Sequence, residues 1–481
     1  MNFKKYLAYV VMMLMLVLLV ACGGTATEEA APAEEAAPAE EAAPAEEAAP
    51  AEEAAPAEEA PAEEAMAVTI RYSMWDSAQQ PAYEQCATAF HEENPNITVV
   101  VEQLGWDDYW NGITTGFVSG DAPDVITDHL AKFPEFAVKE QILDIQPFVD
   151  RDSVELGVYL PGLADLWVRQ GKRYGLPKDW DTIAVVYNAD MLEAAGIDPA
   201  VMDDWSWNPE DGGKFEEIIA QLTLDANGNN GLSADFDKDN VVQYGYIHQG
   251  SGGFSGQTQW SGFAGSTGWN FTDGPWTSKY YYDDPRFIAT IEWYAGLVEK
   301  GFAPPLADVS SLGPQQLFLS GTGATTTDGS WQIGNYVTNA TFNVGFGLLP
   351  VGPEGRKSMF NGLADSIYVG TEHPEEAWQW VKFAASPTCA DIVGDTGVVF
   401  PAQQSGVERA LAVREQQGVD VTAFTDQALD PNGTFLFPIT DNGAEIANIM
   451  GPVMDSIMLG EVDAATALTE ANEQVNATFG E

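Results

Sequence analysis

A two-lobed α/β architecture is what this sequence predicts, and three observations predict it. The chain has 481 residues, 45% of them hydrophobic, which exceeds what one core usually supports and suffices for two. From Val68 onward, short β-like runs alternate with longer amphipathic stretches, the texture of a sheet covered by helices on both faces. Acidic residues, Asp76 and Asp128 among them, stand at the carboxyl ends of predicted strands, where such sheets hold their ligands.

The elements follow in order. Residues 68–75 alternate as a first strand, residues 80–94 carry Tyr83, Ala87 and Phe90 on one helical face, and residues 97–103 form a second strand, a βαβ start. A helix over 107–119, a strand over 123–127 and a helix over 133–140 continue the alternation, which argues for a parallel sheet.

The N-terminus carries a separate message. Lys4 and Lys5 precede an apolar run from Leu7 to Val20, too short and wrongly flanked for an ordinary membrane span, and Leu19-Val20-Ala21-Cys22 follows. This resembles a bacterial lipobox. It implies a signal peptide over 1–21, cleavage before Cys22, and a lipid on the Cys22 sulfur that holds the chain at the outer face of a membrane. Within 22–66 the sequence repeats Glu-Glu-Ala-Ala-Pro-Ala, with nothing to bury and recurrent like charges. Such a segment is expected to be a disordered tether, and about 40 residues at roughly 3 Å each would reach on the order of 120 Å.

Composition narrows the partners. A formal net charge of -53, from 20 Lys+Arg against 73 Asp+Glu, argues against nucleic acid and anionic membrane surfaces. Three cysteines make no disulfide framework, and setting Cys22 aside leaves Cys86 and Cys389.

The marks Trp75-Asp76, Gly120-Asp-Ala-Pro-Asp-Val125, Tyr174-Gly-Leu-Pro177 leading through Asp181-Thr182 to Tyr187-Asn188, Gly329-Ser330-Trp331, Leu349-Pro350-Val351-Gly352-Pro353 and Pro374-Glu-Glu-Ala-Trp378 are weak singly. In this order and spacing they resemble the extracellular solute-binding protein family that includes maltose-binding and multiple-sugar-binding lipoproteins, over essentially all of 67–481. The resemblance implies a two-lobed periplasmic-binding-protein-like fold with a hinged ligand cleft. By position, lobe one is expected at 67–187 plus 358–400 and lobe two at 188–357 plus 401–481. It also implies a monomer outside the cell, or in the periplasm where an outer membrane exists. Such a chain hands a sugar to the permease subunits of an ABC importer and leaves ATP hydrolysis to other subunits. Cys86 and Cys389 would share lobe one, where an oxidising exterior permits either a disulfide or two buried thiols.

Sugars offer hydroxyl groups to polar side chains and C–H faces to aromatic rings. Trp331, after Gly329-Ser330, and Asp181, in the crossover strand, stand where the resemblance puts a stacking aromatic and a polar contact; Lys178 and Asp179 precede Asp181. Trp75, Asp76 and Asp128 at strand ends, His129 beside Asp128, and Asp365 in Asn361-Gly-Leu-Ala-Asp365 are further candidates. Trp260 and Trp269, in a Gly/Ser/Gln-rich segment over 249–274, are candidates for closing the cleft from lobe two.

Three alternatives stand beside this reading. Asp225-Ala-Asn227-Gly-Asn229-Asn-Gly231 resembles the first half of a calcium loop, but Phe236 occupies position twelve, so Asp235 or Asp237 would have to substitute for the bidentate Glu; an ordinary Asn/Gly turn fits as well. No other cofactor is expected. A secreted glycoside hydrolase would need two carboxylates, and acids here are too numerous to single out a pair, while no nucleophile elbow, phosphate loop or His-Glu-x-x-His occurs. A surface carbohydrate adhesin would explain leader and tether but not the ordered motifs.

Overall fold

The computed structural model describes residues 67–480; the signal peptide, Cys22 and the tether lie outside the described residues. Among those described, no helix is long and apolar enough to cross a membrane.

Two sheets organise the described chain. The first has seven strands and runs Phe400–Pro401, Leu176–Asp181, Ser358–Ile367, Val125–His129, Val68–Met74, Ile97–Gln103, with Thr434–Leu436 paired to Ser358–Ile367 off this path. Its founding three strands are parallel, with Val68 opposite Ile97 and Tyr72 opposite Val125. The rest is not the uniformly parallel sheet expected. Ser358–Ile367 runs antiparallel to Val125–His129 and Leu176–Asp181, between which it lies, because the chain leaves for the second lobe and returns from it. Behind this sheet, helices Gln80–Glu93, Pro374–Ala384 and Pro387–Gly394 bury Tyr83, Phe90, Trp378 and Trp380, and a disulfide joins Cys86 to Cys389 with Cα atoms 5.2 Å apart.

The second sheet runs Val344–Gly347, Ile183–Asn188, Gly323–Gly329, Val241–Ile247, Leu224–Asp225. Helices Gly213–Leu222 and Pro285–Glu299 cover it through an aromatic cluster of Trp207, Phe215, Phe263 and Trp293. The chain crosses between sheets at buried Thr182, five residues earlier than motif position suggested. Here the Thr182 hydroxyl donates to the carbonyl of Phe424 at 2.8 Å and the Ser358 hydroxyl accepts from the Ile183 N–H at 2.7 Å, tying the crossing segments together.

The C-terminal boundary also shifts. Helix Gln404–Gln416 packs on Pro387–Gly394, and Thr434–Leu436 extends the first sheet, so these belong with lobe one; Gly443–Met458 and Ala464–Ala477 pack on lobe two. Gln404–Gln416 follows closely on the edge strand Phe400–Pro401 and packs against it and against Pro387–Gly394.

Candidate functional site

Between the sheets lies a cavity of about 430 Å³, and each wall can be traced to local structure. On the first sheet, residues alternate faces. Leu363 pairs with His129 and with Asp179, and Asn361 pairs with Asp181, so these five share one face near the strand ends and floor the cavity. Trp75 and Asp76 leave the end of Val68–Met74, and Asp76 is held by the N–H of Ala78 at 2.8 Å and the side chain of Gln79 at 2.9 Å. Trp106 packs edge-on against Trp75, with ring centres 5.1 Å apart, and extends this aromatic wall to the rim.

The opposite wall comes from lobe two. Strand Gly323–Gly329 ends in a 3-10 turn, Ser330–Gln332, whose first N–H donates to the carbonyl of Thr182 at 3.1 Å. The Trp331 ring folds back over Gly329, where a Cβ would stand 1.9 Å from the indole, so only glycine admits this pose. Gln257 reaches across from the Gly-rich segment and donates to Asp181 at 2.8 Å. Trp331 and Gln257 also line a second cavity of about 480 Å³ with Gln249, Ser251 and Asp455.

The floor is polar and buried. One amide atom of Asn361 lies 2.9 Å from Asp181 Oδ2 and 3.1 Å from Nε2 of His129. Burial pushes the Asp181 carboxyl well above the usual range; the Asn361 hydrogen bond opposes this, neighbouring Asp179 adds to it, and Gln257 opposes it. Burial also raises Asp179, against the pull of Lys178. His129 is driven down to about 3 by burial, with Lys132 adding to the effect.

Of the residues singled out from sequence, the structure brings Trp75, Asp76, His129, Asp179, Asp181 and Trp331 to this cavity. The others stand elsewhere. Lys178 is buried beneath the floor, its ammonium 2.8 Å from Asp179 and over the Tyr83 ring, so it compensates a carboxylate and does not face a ligand. Asp128 points to the opposite face of its strand, accepting from its neighbour's N–H at 2.8 Å and from Ser366. Asp365 lies deeper on the correct face, bound by the hydroxyls of Tyr72 at 2.9 Å and Thr127 at 3.2 Å.

Trp260 and Trp269 are core residues. Trp269 stacks on Phe287 at 4.4 Å, while the Trp260 Nε1–H donates to the carbonyl of Ser251. Two of the glycines that suggested an open loop, Gly252 and Gly256, admit Trp260, since a Cβ at Gly256 would fall 2.0 Å from its ring. At the calcium-like loop, the Asp225 carboxylate is filled by the N–H groups of Asn227, Asn229 and Asp237 and the Asn229 amide, and Asn229 donates to the carbonyl of Asp235, while the Gly231 N–H goes to the carbonyl of Ala220, the pattern of an Asx turn. Among the described residues, no group of three or more His, Cys, Asp or Glu converges on a metal position.

Sequence reasoning missed Trp106, Gln257, Ser330, Gln332 and Asn361. Asn361 was within reach: period two puts it on the face of Asp365, four residues nearer the strand end.

A cavity shared by two hinged sheets, aromatic at its sides and polar at its floor, defines a protein that binds a small solute. The sequence profile of the bacterial extracellular solute-binding proteins matches residues 75–388, and the chain belongs to that family. It is therefore a binding protein and not an enzyme, which sets the hydrolase alternative aside. It is 24% identical to the maltodextrin-binding protein MdxE of Bacillus subtilis over 346 residues, 68% of this chain and 72% of that protein. Among solved structures it resembles UspC of M. tuberculosis, with TM-score 0.69 and 28% identity over 85% of this chain and 99% of that one. It also resembles the ABC substrate-binding protein Lmo0181 of Listeria monocytogenes in complex with cycloalternan, with TM-score 0.74 and 19% identity over 86% and 99%.

Proposed function

We propose that this chain captures a sugar in the interlobe cavity outside the cell and delivers it to the permease of an ABC importer. The observation that carries the reading is the pairing of indoles from both lobes, Trp75 and Trp106 facing Trp331, around a floor of amides and carboxyl groups. Rings suit the C–H faces of a pyranose, and Asp76, Asp179, Asn361, Gln257 and Ser330 suit its hydroxyls. MdxE, a maltodextrin-binding protein, supports the same class of ligand. Contacts from both lobes favour the closed form by their differential affinity, and the closed form is what a permease would read. The lipid on Cys22 and the tether over 22–66 complete the proposal: a monomer anchored at the membrane, its binding unit held out from the surface.

Isothermal titration of the protein with maltodextrins, arabino-oligosaccharides and monosaccharides, with amino acids and polyamines as controls, tests this. Saturable binding of a saccharide that Trp331→Ala weakens is expected. Binding of an amino acid or polyamine with no saccharide response would overturn it.

A further inference from the structure

A hydrogen-bond chain across the cleft floor has a direction, and His129 sets it. The backbone N–H of Ala131 donates to Nδ1 of His129 at 3.0 Å, so Nδ1 carries no proton and a neutral imidazole must carry it on Nε2. That Nε2–H faces the Asn361 amide at 3.1 Å and needs an acceptor there. The only acceptor Asn361 possesses is its amide oxygen, which exchanges with the nitrogen by a half-turn that leaves the side chain's shape unchanged. The same amide position lies 2.9 Å from Oδ2 of Asp181. Two oxygens at that distance require a proton between them. The reverse orientation, with the amide nitrogen toward both neighbours, sets the Ala131 N–H against a protonated Nδ1.

We propose that Asp181 is a neutral carboxylic acid in the unliganded cleft, donating from Oδ2 to the oxygen of Asn361. Asp181 Oδ1 meanwhile accepts from Gln257 of the second lobe at 2.8 Å. The surroundings agree. Asp179, the nearest carboxyl group, disfavours a second negative charge, and Lys178, which could have offset it, is engaged by Asp179 at 2.8 Å. Asp76 also faces the cavity, its oxygens taken by Ala78 and Gln79, and Lys132 acts on His129 and Asp128. Among the described residues no cation lies within ion-pairing distance of Asp181. Burial disfavours the carboxylate in the same direction.

The consequence for binding rests on the sugar-binding reading; the protonation itself does not. A neutral acid closes over an uncharged ligand without burying a bare charge, whereas ionisation would remove the proton shared with Asn361 and leave a bare carboxylate under the ligand.

The test uses the full chain without ligand, labelled with ¹³C and ¹⁵N and assigned through backbone correlations. The Asp181 carboxyl carbon is expected at its protonated shift at pH 6, where exposed aspartates are ionised, and His129 is expected in the Nε2–H form. An ionised Asp181 at pH 6, or an Nδ1–H tautomer of His129, overturns the proposal. Titration with a maltodextrin probe follows. Its affinity is expected to fall by up to roughly tenfold per pH unit above the Asp181 midpoint, and to stay flat in Asp181→Asn, whose amide can donate as the acid does. A parent affinity that stays flat through the observed midpoint removes the coupling to the ligand. Failure of every saccharide to bind would count against the functional reading and leave the protonation result standing.

Discussion

The two walls of the cleft are built by different means. On the first lobe, His129, Asp179, Asp181, Asn361 and Leu363 belong to regular strands, and Trp75-Asp76 follows directly on another, so ladder hydrogen bonds fix where each side chain points. On the second lobe, Ser330, Trp331 and Gln332 sit on one 3-10 turn and Gln257 on a glycine-rich loop, positioned by packing against Gly329 and by single hydrogen bonds. The first wall is set by strand pairing; the second by side-chain packing and single hydrogen bonds.

The sharpest way to break this comparison is to exchange the roles of two tryptophans of lobe two. Trp260→Ala empties a buried indole site and is expected to cost about 3–5 kcal/mol of stability, read as a fall in the calorimetric midpoint. If it instead left the midpoint unchanged and abolished binding, Trp260 would belong to the cleft. Trp331→Ala is expected to do the reverse, weakening saccharide affinity about 30-fold, or ~2 kcal/mol, with little change in midpoint. Calorimetry and titration of the same two variants decide between these roles.

A smaller effect concerns Asp128, behind the first wall. Burial raises its carboxyl from the ordinary carboxylate range to about 8; the N–H of His129 and the Ser366 hydroxyl pull against that rise. A raised folded-state value means that its contribution to stability is fully present below pH ~4 and is lost as pH rises through about 8. Asp128→Asn, which cannot ionise, is expected to match the parent near pH 4 and to melt above it at pH 9, the gap opening as pH rises between these values. Parallel melting curves at both pH values would remove Asp128 as the source. The smallest effect is expected at the rim: Trp106→Ala, on a ring still 44% exposed, should weaken binding only a few-fold, about 1 kcal/mol. A loss as large as that of Trp331→Ala would make the rim part of the central site.

The same contrast explains what could be read from sequence. The βαβ start was legible nearly to the residue, because apolar periodicity is enforced by burial: Ile97–Gln103 and Gln80–Glu93 stand where their patterns put them. Strand-end residues such as Trp75 and Asp76 followed from that. Depth and side along a strand did not. Asp365 lies on the correct face but too deep, and Asp128 on the wrong one, since an acid compensated by Tyr72 or Ser366 hydroxyls looks in sequence like an acid awaiting ligand. The second wall was harder. Glycines around Trp260 suggest a coreless loop, whereas the missing side chains of Gly252 and Gly256 make room for its ring, a tertiary fact with no local signal. The antiparallel return of Ser358–Ile367 and the placement of Gln404–Gln416 on lobe one depend likewise on long-range pairing.

That returning strand has a consequence for how an exported chain is completed. Ser358–Ile367 fills the middle of the first sheet, between Val125–His129 and Leu176–Asp181, yet in the chain it comes after every strand of the second sheet. A polypeptide that emerges from its N-terminus can therefore assemble the second sheet while the first is still split by a strand-wide gap, with the apolar faces of both halves uncovered. Pairings this distant in sequence form slowly, and the unfinished first lobe is the part of the nascent chain most in need of protection from its neighbours outside the membrane.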